Sequence, residues 1–561
     1  MKRNKVKLLA IVLTLVLAIV GCSNTNKNEY SNTVVENNIQ ESNYIHLTML
    51  YPKTINPILN TDKSVSYIMN LIYDGLFEID ENYNAKKTLV ESYSISSDGK
   101  SVHVKLLDNA TWHNGSNVTS SDVDFTIDLI KKNQDSPYYN LVSGIESVKI
   151  NNSKNFTINI AENDPFIINK LTFPILSKDK LESLKNEQLT ESKYNLIGNG
   201  PYKIKRYEDR KSIILEPNKE YFGDLPKKRK EIYVKMVPDK EAQTEMVLSL
   251  DSDIASITLG ELSKFEDKEG KNEFNTTSYQ GRNYELVMFN YENDYLKDVN
   301  FRKAILASID REKIIKDAYV DNATISNFPL NTTSIYYDNN VKSIAYNKEN
   351  AEFYLKKGLL NISKRLDLNK DEPDKDEEDK KSQLILEDNN VNGSSNIQIS
   401  NSDIKAMLSE CKLKIIVSKN NEGRVKIASM IKEDLQALGI KSFIEELSPD
   451  DMTKALNSKE YDLAVIGYNL SSVPDSTGIL RDLDTKDSKL NKLMDSLSKS
   501  TSEENTMKIY SEIQQRVASH ASFLSLGVLD NFIVNNKRLE GTIYPNEFDI
   551  YNGISNLQMS K

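Results

Sequence analysis

The chain has 561 residues, with 72 Lys and Arg against 82 Asp and Glu, for a formal net charge of −10. Such an acidic chain is a poor polyanion binder, because nucleic-acid affinity rests on Lys and Arg neutralising phosphates; DNA and RNA are not expected partners. Apolar residues make up only 39% of it, yet 16 Phe and 28 Tyr can still build a core, and the length suits two or three domains.

The chain opens with Lys2, Arg3, Lys5 and Lys7, then an apolar stretch from Leu8 to Val20, then Gly21 and Cys22. A basic start, a short apolar run and a small residue make a secretory signal peptide, expected over residues 1–21. The run is too short to cross a bilayer, which takes about 20 apolar residues. Ile19-Val20-Gly21-Cys22 resembles the bacterial lipobox. That resemblance implies that Cys22 is acylated and becomes the new N-terminus, anchoring the protein on the extracytoplasmic face of the cell membrane. Cys22 and Cys411 are the two cysteines of the chain. Lipid on Cys22 would leave no intramolecular disulfide, and Cys411 reads as a small buried apolar residue. Residues 22–44 are polar and read as a flexible tether, with order beginning near Ile45.

Beyond the tether, strand and helix signals alternate. Thr119, with Asp122 three residues on, caps a helix predicted over Val118 to Lys131, whose apolar face carries Val123, Ile127 and Ile130. Tyr202 to Tyr207 and Ser212 to Glu216 read as a hairpin across a polar turn. Glu231 to Val237 alternates like a half-buried strand, and Tyr284 to Asn290 is a more apolar one. A helix is expected over Phe301 to Ala318. Leu413 to Ser418, the helical run Arg424 to Leu438 stopped by Gly439, and strands at Lys441 to Leu447 and Tyr461 to Gly467 form a strand–helix–strand unit. Part of the chain is therefore α/β with parallel pairing. Thr501 and Glu504 are spaced as a capping box before Met507, Tyr510, Ile513 and Val517. Residues 364–402, dense in both charges and then in Asn and Ser, read as a disordered acidic insertion.

The chemistry-bearing residues form no catalytic pattern. His46, His103, His113 and His520 are the four histidines, none at HExxH spacing, and no CxxC pair exists. A His/Cys metal site is not expected. Neither a GxSxG elbow nor a phosphate-binding glycine loop is present, and the Ser177–Lys180 spacing lacks the partner motifs that would give it meaning. With no nucleophile–base set and no cofactor motif, a non-enzyme is expected.

Four passages, taken in order, resemble the solute-binding proteins of oligopeptide and dipeptide ABC importers. They are TINP at Thr54 to Pro57 with LIYDGLFEID at Leu71 to Asp80; Leu89 to Val123, which contains Trp112-His113-Asn114-Gly115; GNGPYKIKRYEDRKSIILEPNKEYFG at Gly198 to Gly223; and Leu286 to Ile309, followed by Asp310-Arg311. Weaker similarity continues at Tyr510 to Val517.

The resemblance implies an α/β, two-lobed periplasmic-binding-protein-like fold of type II, cluster C, with an extra domain. Lobe I would combine residues 45–73, 197–279 and 527–561. The extra domain would span 74–196, and the remaining lobe 280–526. An extended peptide would be held between lobes by its main-chain amides and delivered to an ABC permease and ATPase complex; the receptor is expected to be a monomer. Ligand contacts would fall at Thr61, Asp62 and Lys63, at Gly467, Tyr468 and Asn469, and at Tyr279 and Tyr284. Tyr284 lies on a strand, where a core position is equally open, and Thr61 to Lys63 could be a plain surface loop. In the passage GYNLSSVPDSTG, Ser471 or Ser472 stands where the family commonly has an aspartate for the peptide's α-amino group, with Asp475 a few residues later. A peptide-pheromone receptor, or another cargo on the same fold (a nickel chelate, haem, a sugar), remains open at this point, as does a surface hydrolase or structural lipoprotein.

Overall fold

The computed structural model describes residues 43–184, 188–189, 197–226, 228–266, 273–371 and 399–560. The expected signal peptide, Cys22, most of the tether and residues 372–398 of the acidic insertion lie outside them.

Strand β1 (Ile45–Leu50) buries Ile45, Leu47 and Met49. A hairpin of β2 (Phe77–Ile79) and β3 (Ala85–Lys87) follows. Next come β4 (Val90–Ile95), β5 (Ser101–Leu106), β6 (Ile145–Ile150) and β7 (Asn155–Ile160), an antiparallel sheet in the order β4-β5-β7-β6. A helix at Ser120–Lys132 packs on this region; Thr119 and Asp122 close the capping box that their spacing predicts. β8 (Tyr202–Glu208), β9 (Ser212–Pro217) and β10 (Ile232–Val237) join β1 in the order β1-β10-β9-β8, with β1 and β10 parallel. The predicted hairpin is the β8–β9 pair. One apolar core, running from Ile45 and Leu47 through Val104, Phe156 and Phe173 to Ile213 and Val234, unites both four-stranded sheets.

The largest sheet has seven strands: β11 (Ile254–Ile257), β12 (Phe274–Phe289), β13 (Ala323–Ile325), β14 (Lys412–Ser418), β15 (Lys441–Leu447), β16 (Leu463–Asn469) and β17 (Leu524–Asn536). Its order is β11-β17-β12-β16-β14-β15, with β13 added to β17. β14 is parallel to both β15 and β16, as the strand–helix–strand reading requires, and Gly439 ends the intervening helix at φ +88°. A last short pair, β18 (Leu539–Glu540) and β19 (Gln558–Met559), closes the chain.

β12 and β17 are the long strands, at 16 and 13 residues. The first half of β12 and the second half of β17 pair with each other beside β11. The other halves pair beside β16, around Val287, Phe289, Leu524 and Leu526 in a second core. The pairing skips between Gln280 and Tyr284. At this crossing a Cβ on Gly281 would sit 2.8 Å from the Leu529 carbonyl, and one on Gly527 would sit 2.5 Å from the Thr324 carbonyl. Expected domain limits at 279/280 and 526/527 thus fall inside continuous strands.

Three sequence expectations are corrected. The single helix over Phe301 to Ala318 is two, Val299–Ser308 and Arg311–Tyr319, because Asp310 caps the second by accepting from the Lys313 amide at 3.0 Å. The helix near residue 501 starts at Glu503 with Ser502 as its cap, not Thr501. The insertion does not start at residue 364: a helix runs through Lys348–Asp371, and another begins at Asn401. Ala351, Leu355, Leu359 and Ile362 form its buried stripe. Cys411 is buried as expected, and burial pushes its thiol up to about 12.

The Trp112-Gly115 passage is a turn clamped onto Gly198. The His113 amide donates to the Gly198 carbonyl at 2.8 Å, and the Gly198 amide donates to His113 Nδ1 at 3.2 Å. An accepting Nδ1 puts the ring proton on Nε2, which donates to the Gly200 carbonyl at 3.1 Å. Burial lowers the His113 imidazole from 6.5 to about 4. The unfolded chain therefore takes a proton near pH 6.5 that the folded chain refuses until near pH 4. Stability is expected to fall as pH drops through that window, by roughly 3 kcal/mol on account of this one ring. Urea unfolding of the wild type and His113→Gln between pH 7 and pH 4 checks this: the variant should be less stable at pH 7 and lose that part of the slope.

Candidate functional site

A cavity of about 490 Å³ opens where the two halves of the β12–β17 ladder meet. Its walls come from sequence-distant pieces: Thr48 and Leu50 of β1, Asp62 to Ser64, Tyr67, Lys240 and Gln243, residues 254–258, Tyr279, Arg282 and Asn283, Asn469, Asn531, and Glu547, Ile550 and Tyr551.

Local chemistry fixes each wall. Asp62 caps the helix Lys63–Met69, accepting from the Val65 amide at 3.1 Å and the Ser64 hydroxyl at 2.6 Å. Asn60 holds the approach by donating to the Asp62 carbonyl at 2.7 Å. That cap places Lys63 on the first turn, where its ammonium pairs with Glu547. Glu547 is delivered by a turn that Asn546 organises, its side-chain oxygen accepting from the Phe548 and Asp549 amides at 2.8 Å each. The Glu547 carboxylate is only 7% exposed, and its second oxygen accepts from the Asn531 amide group. Tyr67 donates to the Glu547 backbone carbonyl at 3.3 Å. Burial first, then the Glu547 charge, raises the phenols of Tyr67 and Tyr279 above the ordinary tyrosine range.

Two further cations line the cavity. Lys240 donates to the Ser256 carbonyl, and burial holds its ammonium below the usual lysine range against the pull of Glu261. Arg282 donates from Nε to the Leu470 carbonyl at 2.6 Å and lies 5.5 Å from the centre of the Phe548 ring.

β11 forms one edge of the seven-stranded sheet, and all of its residues, with Thr258, line the cavity. Ile254 packs into one core while Ala255 and Ile257 pack into another, because strand side chains alternate between faces. Ser256 is half-buried and its carbonyl accepts from Lys240, so the strand meets the cavity with both main-chain and side-chain groups.

Of the expected contact residues, Asp62, Lys63, Tyr279 and Asn469 line the cavity. Thr61 is exposed just outside it. Tyr284 is a core residue, 0% exposed, with its hydroxyl paired to Ser525; the cleft position is corrected. Tyr468 is half-buried against the apolar cluster around Leu470 and Val473, and burial lifts its phenol to about 12. Asp475 lies just before Ser476, the N-cap of the next helix, and accepts from the Thr477 amide at 2.9 Å and hydroxyl at 2.7 Å. It sits with Ser471 and Ser472 along a separate slot of about 20 Å³. Glu547, Asn531, Arg282 and Lys240 carry the site's charge and polarity, and no local motif marks them. Among the described residues no three His, Cys, Asp or Glu side chains gather as a metal site, and no helix is long and apolar enough to cross a membrane.

The model of the bacterial extracellular solute-binding proteins, family 5, matches residues 84–489. The chain belongs to that family. Oligopeptide-binding protein AppA of Bacillus subtilis is 24% identical over 98% of this chain and 98% of its own. Oligopeptide-binding protein OppA of the same organism is 25% identical over 66% of this chain and 71% of its own. Among solved structures, the ABC transporter substrate-binding protein CtaP of Listeria monocytogenes superposes with a TM-score of 0.69 at 20% identity, covering 92% of this chain and 99% of that one. AppA of Bacillus subtilis in complex with a nonapeptide gives 0.55 at 21% identity, with coverage of 92% and 99%. These likenesses show the fold, a two-lobed α/β binding protein.

Gly467 belongs to the architecture beside the cavity. It lies directly opposite Glu285 in the β12–β16 register. Arg424 grips the Glu285 carboxylate with both prongs, at 2.7 and 2.8 Å, above the glycine. A Cβ there would fall 2.1 Å from Arg424 Nη2 and 2.7 Å from Glu285 Oε1. Gly467→Ala should force the pair apart and leave Glu285, 2% exposed, without its partner. The expected cost is about 3 kcal/mol or more, read as a lowered urea midpoint. Arg424→Met should lower it comparably, and the double variant should cost less than the two added together.

Proposed function

We propose that this protein is a lipid-anchored extracellular receptor that encloses an extended peptide in the cavity between its lobes and presents it to an ABC permease and ATPase complex, without performing chemistry on it. The observation that carries the reading is the placement of the edge strand β11 on the wall of a cavity lined by both polar and apolar groups. An extended peptide offers N–H and C=O groups whatever its sequence, and adding it beside a strand edge binds it through those groups. The cavity holds both charge signs, Glu547 against Lys240 and Arg282, which suits a zwitterion. The relatives' oligopeptide-binding names and the nonapeptide complex of AppA agree with this cargo. Binding between lobes couples to closure, because contacts made only in the closed state shift the population toward it.

Calorimetry and thermal unfolding with pools of peptides of two to nine residues test the reading. A binding peptide at 100 times its Kd should add about 2.7 kcal/mol of stability. Failure of every pool to shift unfolding, with no peptide recovered from the purified protein, would overturn it. The anchor rests on the Ile19 to Cys22 passage: Cys22→Ala should abolish fatty-acid labelling and move the protein out of the membrane fraction.

A further inference from the structure

Resting on the peptide reading above, we propose that Glu547, walled by the rings of Tyr67, Tyr279 and Tyr551, is a cation subsite. In it an ammonium group of the ligand, either its amino terminus or a basic side chain, displaces Lys63. Four observations carry this. First, the carboxylate is buried on the cavity wall at 7% exposure, so leaving it unpaired is costly. Second, its cationic partner is the opposite kind of group: the Lys63 side chain is 63% exposed, on the first turn of a surface helix. An ammonium so exposed returns to water at little cost, and a ligand cation taking its place keeps Glu547 paired in both states. Third, the three tyrosines line the same cavity, with the rings of Tyr67 and Tyr551 edge-on at 6.3 Å. Aromatic faces attract a desolvated cation, so the wall and the carboxylate select the same ligand group. Fourth, no other charge in the cavity competes for the role. Asp62 is committed to capping its helix, while Lys240 and Arg282 are held on the carbonyls of Ser256 and Leu470.

The exchange is a counter-ion swap with no bond made or broken. It makes Lys63 a built-in competitor that sets the threshold for cationic ligands.

Three pentapeptide libraries test the proposal by calorimetry: one with free amino termini and no basic residues, the same library N-acetylated, and the acetylated library with a fixed central lysine. The wild type should bind at least one cationic library about tenfold or more tightly than the neutral one. Preference for the free-terminus library identifies the α-ammonium as the occupant, and preference for the lysine library identifies a side chain. Glu547→Gln, which keeps the shape and an acceptor oxygen, should erase the difference. Lys63→Met should tighten the cationic library several-fold and leave the neutral one unmoved, and it leaves the Glu547 turn in place should Glu547→Gln fold poorly. Equal binding of all three libraries, or a preference that survives Glu547→Gln, overturns the subsite while peptide binding stands. Binding by none of them overturns the peptide reading and the subsite together.

Discussion

The antiparallel ladder between β12 and β17 is the constraint on which the rest depends. Each strand is long enough to belong to two hydrophobic cores, one around Ile254 and Ile533, the other around Phe289 and Leu524. The two lobes are therefore joined by hydrogen-bonded sheet, not by loose chain. The pairing is interrupted twice along that ladder, between Gln280 and Tyr284 and between Glu285 and Leu286. Beside the first break Gly281 lies against the Leu529 carbonyl, and beside the second Gly527 lies against the Thr324 carbonyl of β13, so neither has room for a Cβ. Tyr83, from the loop between β2 and β3, donates to the Gln280 carbonyl at 2.7 Å and braces the first break.

The cavity owes its character to its place on that ladder. Tyr279, Arg282 and Asn283, at the first break in pairing, line it. On the peptide reading proposed above, recognition would divide between two kinds of group. The β11 edge is indifferent to ligand sequence, since every peptide carries amides. The charged groups are selective, because a buried carboxylate tolerates exchange of one cation for another far better than loss of its cation. On that reading, broad capture and a bias toward cationic groups would be compatible, resting on separate walls of one space.

How much of this could be read from the sequence follows from the range of the forces involved. The capping box at Thr119 and Asp122, the β8–β9 hairpin and the β14-to-β16 parallel unit are specified within a few residues, and local periodicity found them. The last turns of the helix Lys348–Asp371 fell within the stretch read as insertion because the buried stripe of Leu355, Leu359 and Ile362 ends before Lys364, where the sequence turns dense in charge. The break at Asp310 was missed for the opposite reason: apolar spacing continues through Ile309 into Ile314 and Ile315, and one capping side chain decides the matter. Family resemblance pointed to Asp62, Lys63 and Asn469 at the cavity wall. It could not point to Glu547, which lies 484 residues from the lysine it pairs with and sits in a turn whose only local signature is Asn546.

β16 shows why a contact expected at Gly467 and one expected at Asn469 come to different ends. The two residues share a face of the strand, about 7 Å apart. At the first, the cross-strand partner Glu285 and the overlying Arg424 fill the space above the sheet completely, so the position must be glycine. At the second, the partner is Asn283, and both amides open onto the cavity. The sheet thus passes from locked to open within one pleat. The bidentate pair is worth more as a clamp than as a source of stability, since a buried ion pair roughly repays its own desolvation. What it supplies is a fixed shoulder in the sheet one pleat from Asn283 and Asn469, where the cavity begins.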